Sequence, residues 1–144
     1  MSDGFMVPLV DEDSAPFWEG TLAGELRMQA CAACGRLRFP PRPMCPRCRS
    51  VESTWQVMSG RGTIWSYVIS HPPLLPAYAA LAPYNNILVA LDEDPTLRMV
   101  GNLVASEDGP INEVDPESIV IGAPVRVVFQ PLTDDIAMPR WIQA

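Results

Sequence analysis

All four cysteines of the chain stand in one stretch, "CAACGRLRFPPRPMCPRC", as two C-x-x-C pairs: Cys31 with Cys34, and Cys45 with Cys48. Thiolates so spaced can hold a tetrahedral metal at about 2.3 Å, because each C-x-x-C turn puts two sulfurs on one side of a tight bend. Gly35, directly after Cys34, permits the positive φ that such a knuckle adopts, and Pro46 pre-sets the turn after Cys45. The intervening residues suffice for a strand out and a return loop, which "PPRP" keeps extended. This spacing predicts zinc. Four cysteines leave no open position for water, so the expected role is structural, worth on the order of 10 kcal/mol of folding free energy. C-x-x-C also occurs as a redox dithiol, but two matched pairs without a βαβ pattern favour the metal.

Arginines crowd the same stretch. Seven of the ten lie between residues 27 and 61, where Glu52 is the only acid, and the chain has no lysine. Arg36, Arg38, Arg42 and Arg47 sit closest to the thiolates. They can balance a dianionic metal site, or bind phosphate through bidentate guanidinium contacts. The rest of the chain is acidic and the net charge is -7, which argues against general nucleic-acid affinity.

The elements that position the cysteines read as mainly β. At 144 residues and 48% hydrophobic, the chain can bury a core. Sixteen prolines exclude long helices. No apolar run is long enough to span a membrane, and the start lacks a signal-peptide plan, so a soluble cytoplasmic protein is expected. Residues 1–25 read as an N-terminal arm with a short helix, capped by Asp13 or Ser14 and opened by Pro16, with Trp18 and Leu22 on one face. Residues 26–54 read as the zinc ribbon, where Leu26, Met28 and Ala30 alternate as in a strand.

Residues 55–144 read as five strands: "GRGTIWSYVIS", "NNILVALD", "TLRMVGNLVA", "APVRVVFQPL" and "IAMPRWIQA". Val125, Val127 and Phe129 alternate with Arg126 and Gln130, and Pro139 suits an edge. One helical turn in "DPESIVIG" before the fourth strand fits a small OB-fold barrel. A small sandwich is the other arrangement that five strands allow.

"HPPLLPAYAALAPY" joins the first two of these strands as a long, almost wholly apolar loop. Such a loop is usually covered by something. Leu74, Leu75, Tyr78 and Leu81 are candidates to contact a partner or an acyl chain; alternatively the loop plugs its own barrel. Phe17 and Trp18 divide in the same way between packing on the ribbon and contacting another subunit. Trp65 and Tyr67, two apart, are expected on one strand face, as packing residues rather than a base-stacking platform. His71, the sole histidine, reads as a turn residue. No Ser-His-Asp set, phosphate loop or H-E-x-x-H motif is present.

"PFWEGTLAGELRMQACAACGRLRFPPRPMCPRC", "GRGTIWSYVISH" and "IGAPVRVVF", in this order, resemble the acyl-CoA-associated zinc-ribbon and OB-fold proteins long known as a domain of unknown function. The resemblance covers roughly residues 14 to 142. It implies a rubredoxin-like ribbon and a hetero-oligomeric role beside an enzyme of acyl-CoA metabolism. A thiolase-like aldolase, thiolase or acyltransferase is the expected partner and a MaoC-like hydratase the second, with steroid side-chain degradation among the settings. Catalytic residues are then expected on the partner, while this chain stabilises it or shapes the acyl-CoA channel. A nucleic-acid-binding ribbon and barrel is the alternative reading.

Overall fold

The computed structural model describes residues 4–144, so Met1 to Asp3 of the expected arm lie outside the described residues. Helix α1 runs Ala15–Leu22 with Pro16 in its first turn. Neither Asp13 nor Ser14 caps it through a side chain. The cap lies a turn earlier: Ser14 N–H donates to Asp11 Oδ1 at 2.8 Å, and Asp11 N–H donates to Ser14 Oγ at 3.1 Å. This is a reciprocal capping box, which satisfies two otherwise orphaned donors. Phe17, Gly20 and Thr21 form the buried stripe, and Leu22 points to solvent.

Strand β1 (Arg27–Cys31) lies between β2 (Leu37–Arg38) and β3 (Ser53–Val57), antiparallel to both. β3 thus runs across residues 54 and 55 and completes the ribbon sheet. Leu26 and Met28 enter the same hydrophobic core as Met58, Ile64, Val89 and Trp141. Met58 N–H donates to Leu26 O at 2.7 Å at the joint. Ribbon and barrel therefore share a core, so apolar burial couples their stabilities.

The second sheet holds β4 (Arg61–Ser70), β5 (Tyr84–Leu91), β6 (Arg98–Gly101), β7 (Pro124–Pro131) and β8 (Ala137–Gln143) in the order β6-β5-β4-β7-β8. A one-turn helix, α2 (Pro76–Ala79), interrupts the apolar loop, and a 3-10 turn (Pro116–Ser118) precedes β7. The sheet curls into a half-barrel until its edges meet, where Leu103 bridges Trp141 in parallel. Trp141 N–H donates to Asn102 O at 3.0 Å, and Val104 N–H to Trp141 O at 2.8 Å. That is the partly open barrel expected of the OB type. Val125, Val127 and Phe129 face its core. Val128, on the opposite face, is also buried, flanked by Arg126 and Gln130, which bond to Glu107 and Gly109 of the loop over it.

Trp65 and Tyr67 do not share a face. The β4–β5 register slips between Ile64 and Ser66, so Trp65 is an extra, bulged residue that reverses the alternation. Tyr67 packs against the core, while Trp65 is exposed with the Arg98 guanidinium 3.7 Å above its ring. Among the described residues no helix is long and apolar enough to cross a membrane.

Candidate functional site

The two cysteine pairs converge. Cys31 Sγ lies 3.4 Å from Cys48 Sγ, Cys34 Sγ lies 3.7 Å from Cys45 Sγ, and all four sulfurs fall within 4.8 Å of one another. A tetrahedron with bonds of about 2.3 Å has edges of about 3.8 Å, so the thiols fit a four-sulfur metal site. They are too far apart for disulfides, whose S–S bond is about 2.05 Å. Cys31 and Cys45 are buried, and Cys34 and Cys48 form the outer side.

The knuckles are built alike. Cys31 N–H donates to Arg36 O and Gly35 N–H to Cys31 O, both at 2.9 Å. Cys45 N–H donates to Ser50 O at 2.9 Å and Arg49 N–H to Cys45 O at 3.0 Å. The Cys34 N–H points at Cys31 Sγ, 3.4 Å away, and holds that thiol down to about 6. The Cys48 N–H lowers Cys45 in the same way. Cys48 goes the other way: the Ser50 N–H pulls it down, but Cys31, desolvation and the other thiols together raise it to about 11. A metal ion held by these cysteines would supply the positive charge that lets four thiolates coexist there.

The arginines beside the site separate into two sets. Arg36, Arg42 and Arg47 are exposed. Arg38 is not a surface group: it is 2% exposed, and its Nε and Nη2 donate to Arg42 O at 3.3 and 3.0 Å. Burial takes it out of the set of exposed arginines expected to meet phosphate and makes it a tie for the return loop. Gln29, also buried, holds the same loop by accepting from Arg42 N–H at 2.9 Å.

Phe17 is buried, with Trp18 at 4.9 Å and Phe39 of the ribbon at 5.6 Å between ring centroids. Only Trp18 of the pair remains half-exposed for another molecule to reach. In the apolar loop Leu75 is 58% exposed, Leu74 and Leu81 are half-buried, and His71 is exposed. Tyr78 turns inward, its ring 5.3 Å from Phe5 and 6.2 Å from Tyr84, and its hydroxyl accepts from Met6 N–H at 3.0 Å. The N-terminal arm and the loop therefore brace each other.

Beneath them lies a cavity of about 520 Å³ whose apolar wall includes Phe5, Leu81, Ile111 and Leu132. Arg140, 8% exposed, is the cation in its lining. Arg140 donates to Asn102 Oδ1 through Nη1 and to Gln130 Oε1 through Nε at 3.3 Å. No carboxylate among the described residues forms an ion pair with it. Desolvation pulls its pKa below the ordinary arginine value, opposed by the Tyr78 hydroxyl. Sequence reading missed this site. Its partners are remote along the chain, and an arginine between Pro139 and Trp141 carries no local signal of burial.

Two family models cover the chain in order. The ChsH2 rubredoxin-like zinc ribbon domain matches residues 18–52, and the ChsH2 C-terminal OB-fold domain matches residues 55–130. The chain belongs to the ChsH2 family. It is 38% identical over 139 residues to the 3-oxo-4,17-pregnadiene-20-carboxyl-CoA hydratase alpha subunit of Mycobacterium tuberculosis. It is 34% identical over 132 residues to a probable enoyl-CoA hydratase alpha subunit of Thermomonospora curvata. These matches take in 96% and 92% of this ChsH2-type chain but only 39% and 38% of the relatives, so it spans about two-fifths of their length. A DUF35 domain-containing scaffold protein of Methanothermobacter thermautotrophicus is 34% identical over 73% of this chain and 71% of its own. Among solved structures, a chain of the Ltp2-ChsH2(DUF35) aldolase superposes with a TM-score of 0.80 at 33% identity, covering 95% of this chain and 98% of that one.

Proposed function

We propose that this ChsH2-type chain is a non-catalytic accessory subunit of an acyl-CoA-processing complex. Its partner is a thiolase-superfamily enzyme, an aldolase, thiolase or acyltransferase. The likeness to nearly the whole of one chain of the Ltp2-ChsH2(DUF35) aldolase carries this reading, because it extends through ribbon and barrel together. A MaoC-like hydratase is the second candidate partner, a reading supported by the hydratase alpha-subunit names among its relatives. The steroid acyl-CoA in one of those names supports steroid side-chain degradation as a setting.

In this role the four cysteines hold zinc, which fixes the knuckles against β1 and keeps Met28 and Leu26 in the shared core. Trp18 and the apolar loop, through Leu74 and Leu75, offer the partner a surface, while Tyr78 and Leu81 support that loop from within. The exposed Arg36, Arg42 and Arg47 are placed to meet coenzyme A phosphates. Carbon–carbon cleavage, hydration or acyl transfer then belongs to the partner, and this subunit contributes positioning and exclusion of water.

The test is affinity capture of partner by the wild type beside Leu75→Asp, whose side chain is exposed and whose replacement leaves the core intact. The wild type retains a thiolase- or hydratase-superfamily protein in stoichiometric amount, and the variant, folded by circular dichroism, loses it. Capture of the same protein by both at equal yield removes the loop from the interface.

A further inference from the structure

We propose that the cavity over Arg140 is a binding site for an apolar monocarboxylate, taking the carboxylate at the guanidinium and the hydrocarbon against the arm and the loop. Burying a cation without a counter-charge is unfavourable, and a site built this way is completed by an anion from outside. Arg140 is 8% exposed, and its two bonds among the described residues go to neutral amides, Asn102 and Gln130. Those amides are themselves held: Asn102 Nδ2 donates to Asn85 O, and Gln130 Nε2 donates to Glu107 O at 3.0 Å and Gly109 O at 2.9 Å. The guanidinium is thus fixed on two N–H groups, and no bond from Nη2 to a described residue is seen, on a side chain that lines the cavity.

Size and charge narrow the ligand. A cavity of about 520 Å³ lies inside the range of roughly 300–1,000 Å³ typical of small-molecule sites. Phe5, Leu81, Ile111 and Leu132 supply apolar surface for a chain or ring system. Asp108 stands in the same lining and Glu107 is its neighbour. Glu107 is already paired with Arg126, and Asp108 forms no ion pair with Arg140 among the described residues, so the guanidinium is left to balance a single negative charge. A multiply charged phosphate would be repelled, which separates this site from the arginines of the ribbon. The ligand site stands on the cavity's own geometry and holds whichever enzyme the chain partners.

The probe pair is decanoate and methyl decanoate, titrated calorimetrically into the zinc-loaded chain. Decanoate binds one per chain and about tenfold or more tighter than the ester, since only the carboxylate makes a charge-assisted bond. Arg140→Gln removes that preference, and Ala80→Trp, which fills the cavity from its wall, weakens both ligands. Equal binding of acid and ester overturns the proposal, as does no binding of decanoate. The acid–ester comparison is made on the wild type, so it stands even if Arg140→Gln fails to fold.

Discussion

Gly35 and Arg49 are equivalent residues of the two knuckles. Each follows the second cysteine of its pair, each donates its N–H to the carbonyl of the first, and each is left-handed, at φ 76° and 65°. Only one of them is glycine. Left-handed backbone costs an ordinary side chain roughly 1 kcal/mol that glycine does not incur. Gly35→Ala therefore destabilises the zinc-loaded chain by about 1 kcal/mol in denaturant titration. Arg49→Gly relieves the same strain but frees the unfolded chain, and stability changes by less than about 0.5 kcal/mol. A larger loss at Arg49 than at Gly35 would mean that the Arg49 side chain, and not the turn, holds the second knuckle.

Metal removal should reach beyond the ribbon. Met28 and Leu26 share the core with Ile64 and Trp141, so stripping zinc with a chelator exposes apolar surface in the barrel too. The check is near-ultraviolet circular dichroism with and without metal, where the tryptophan signal collapses on chelation. Acid does the same: with Cys31 near 6 and Cys48 near 11, protons compete with zinc at neutral pH. Affinity therefore rises with pH and falls as the thiols regain protons. A pH-independent affinity between 6 and 8 contradicts a four-thiolate site.

The ribbon arginines should divide by burial. Arg38→Ala leaves Arg42 O without its donor and empties buried space, costing about 1–3 kcal/mol. Arg36→Ala and Arg47→Ala, both exposed, stay within about 0.5 kcal/mol of wild type. If these exposed arginines meet coenzyme A phosphates as proposed, titration of coenzyme A shows the reverse order, weaker for Arg36→Ala and Arg47→Ala in the folded protein, and unchanged affinity contradicts that role.

The barrel seam depends on a missing side chain. A Cβ at Gly101 would lie 2.7 Å from Trp141 Cδ1, and Trp141 is fully buried. Gly101→Ala forces the indole or the β6 backbone to move, costing about 1–3 kcal/mol by overpacking. An unchanged denaturation midpoint would show that the seam is looser than its hydrogen bonds indicate.

What could be read from the sequence was what is local. The metal site follows from spacing within one short stretch, and strands β4, β5, β7 and β8 follow from apolar runs cut by glycine, proline and acidic turns. The helix cap fell one turn early because Asp11 and Ser14 reciprocate, a pairing that competes with the nearer Asp13. Trp65 and Tyr67 parted faces because a bulge breaks the period of two, and no residue type in "GTIWSYV" announces it. Arg38 looked like its exposed neighbours; its burial depends on a carbonyl presented by a loop. Arg140 required the fold itself, since Asn102 arrives from beyond β6 and Gln130 from β7.

The proposed role beside an acyl-CoA enzyme is tested most directly by the identity of the partner this chain binds. The measurement is gentle affinity purification from the native cell, followed by native mass spectrometry of the eluted complex. The expected result is a stoichiometric hetero-oligomer with a thiolase-superfamily enzyme, or with a MaoC-like hydratase as the second candidate. Elution of the chain alone, or with nucleic acid in a salt-sensitive complex, would contradict it.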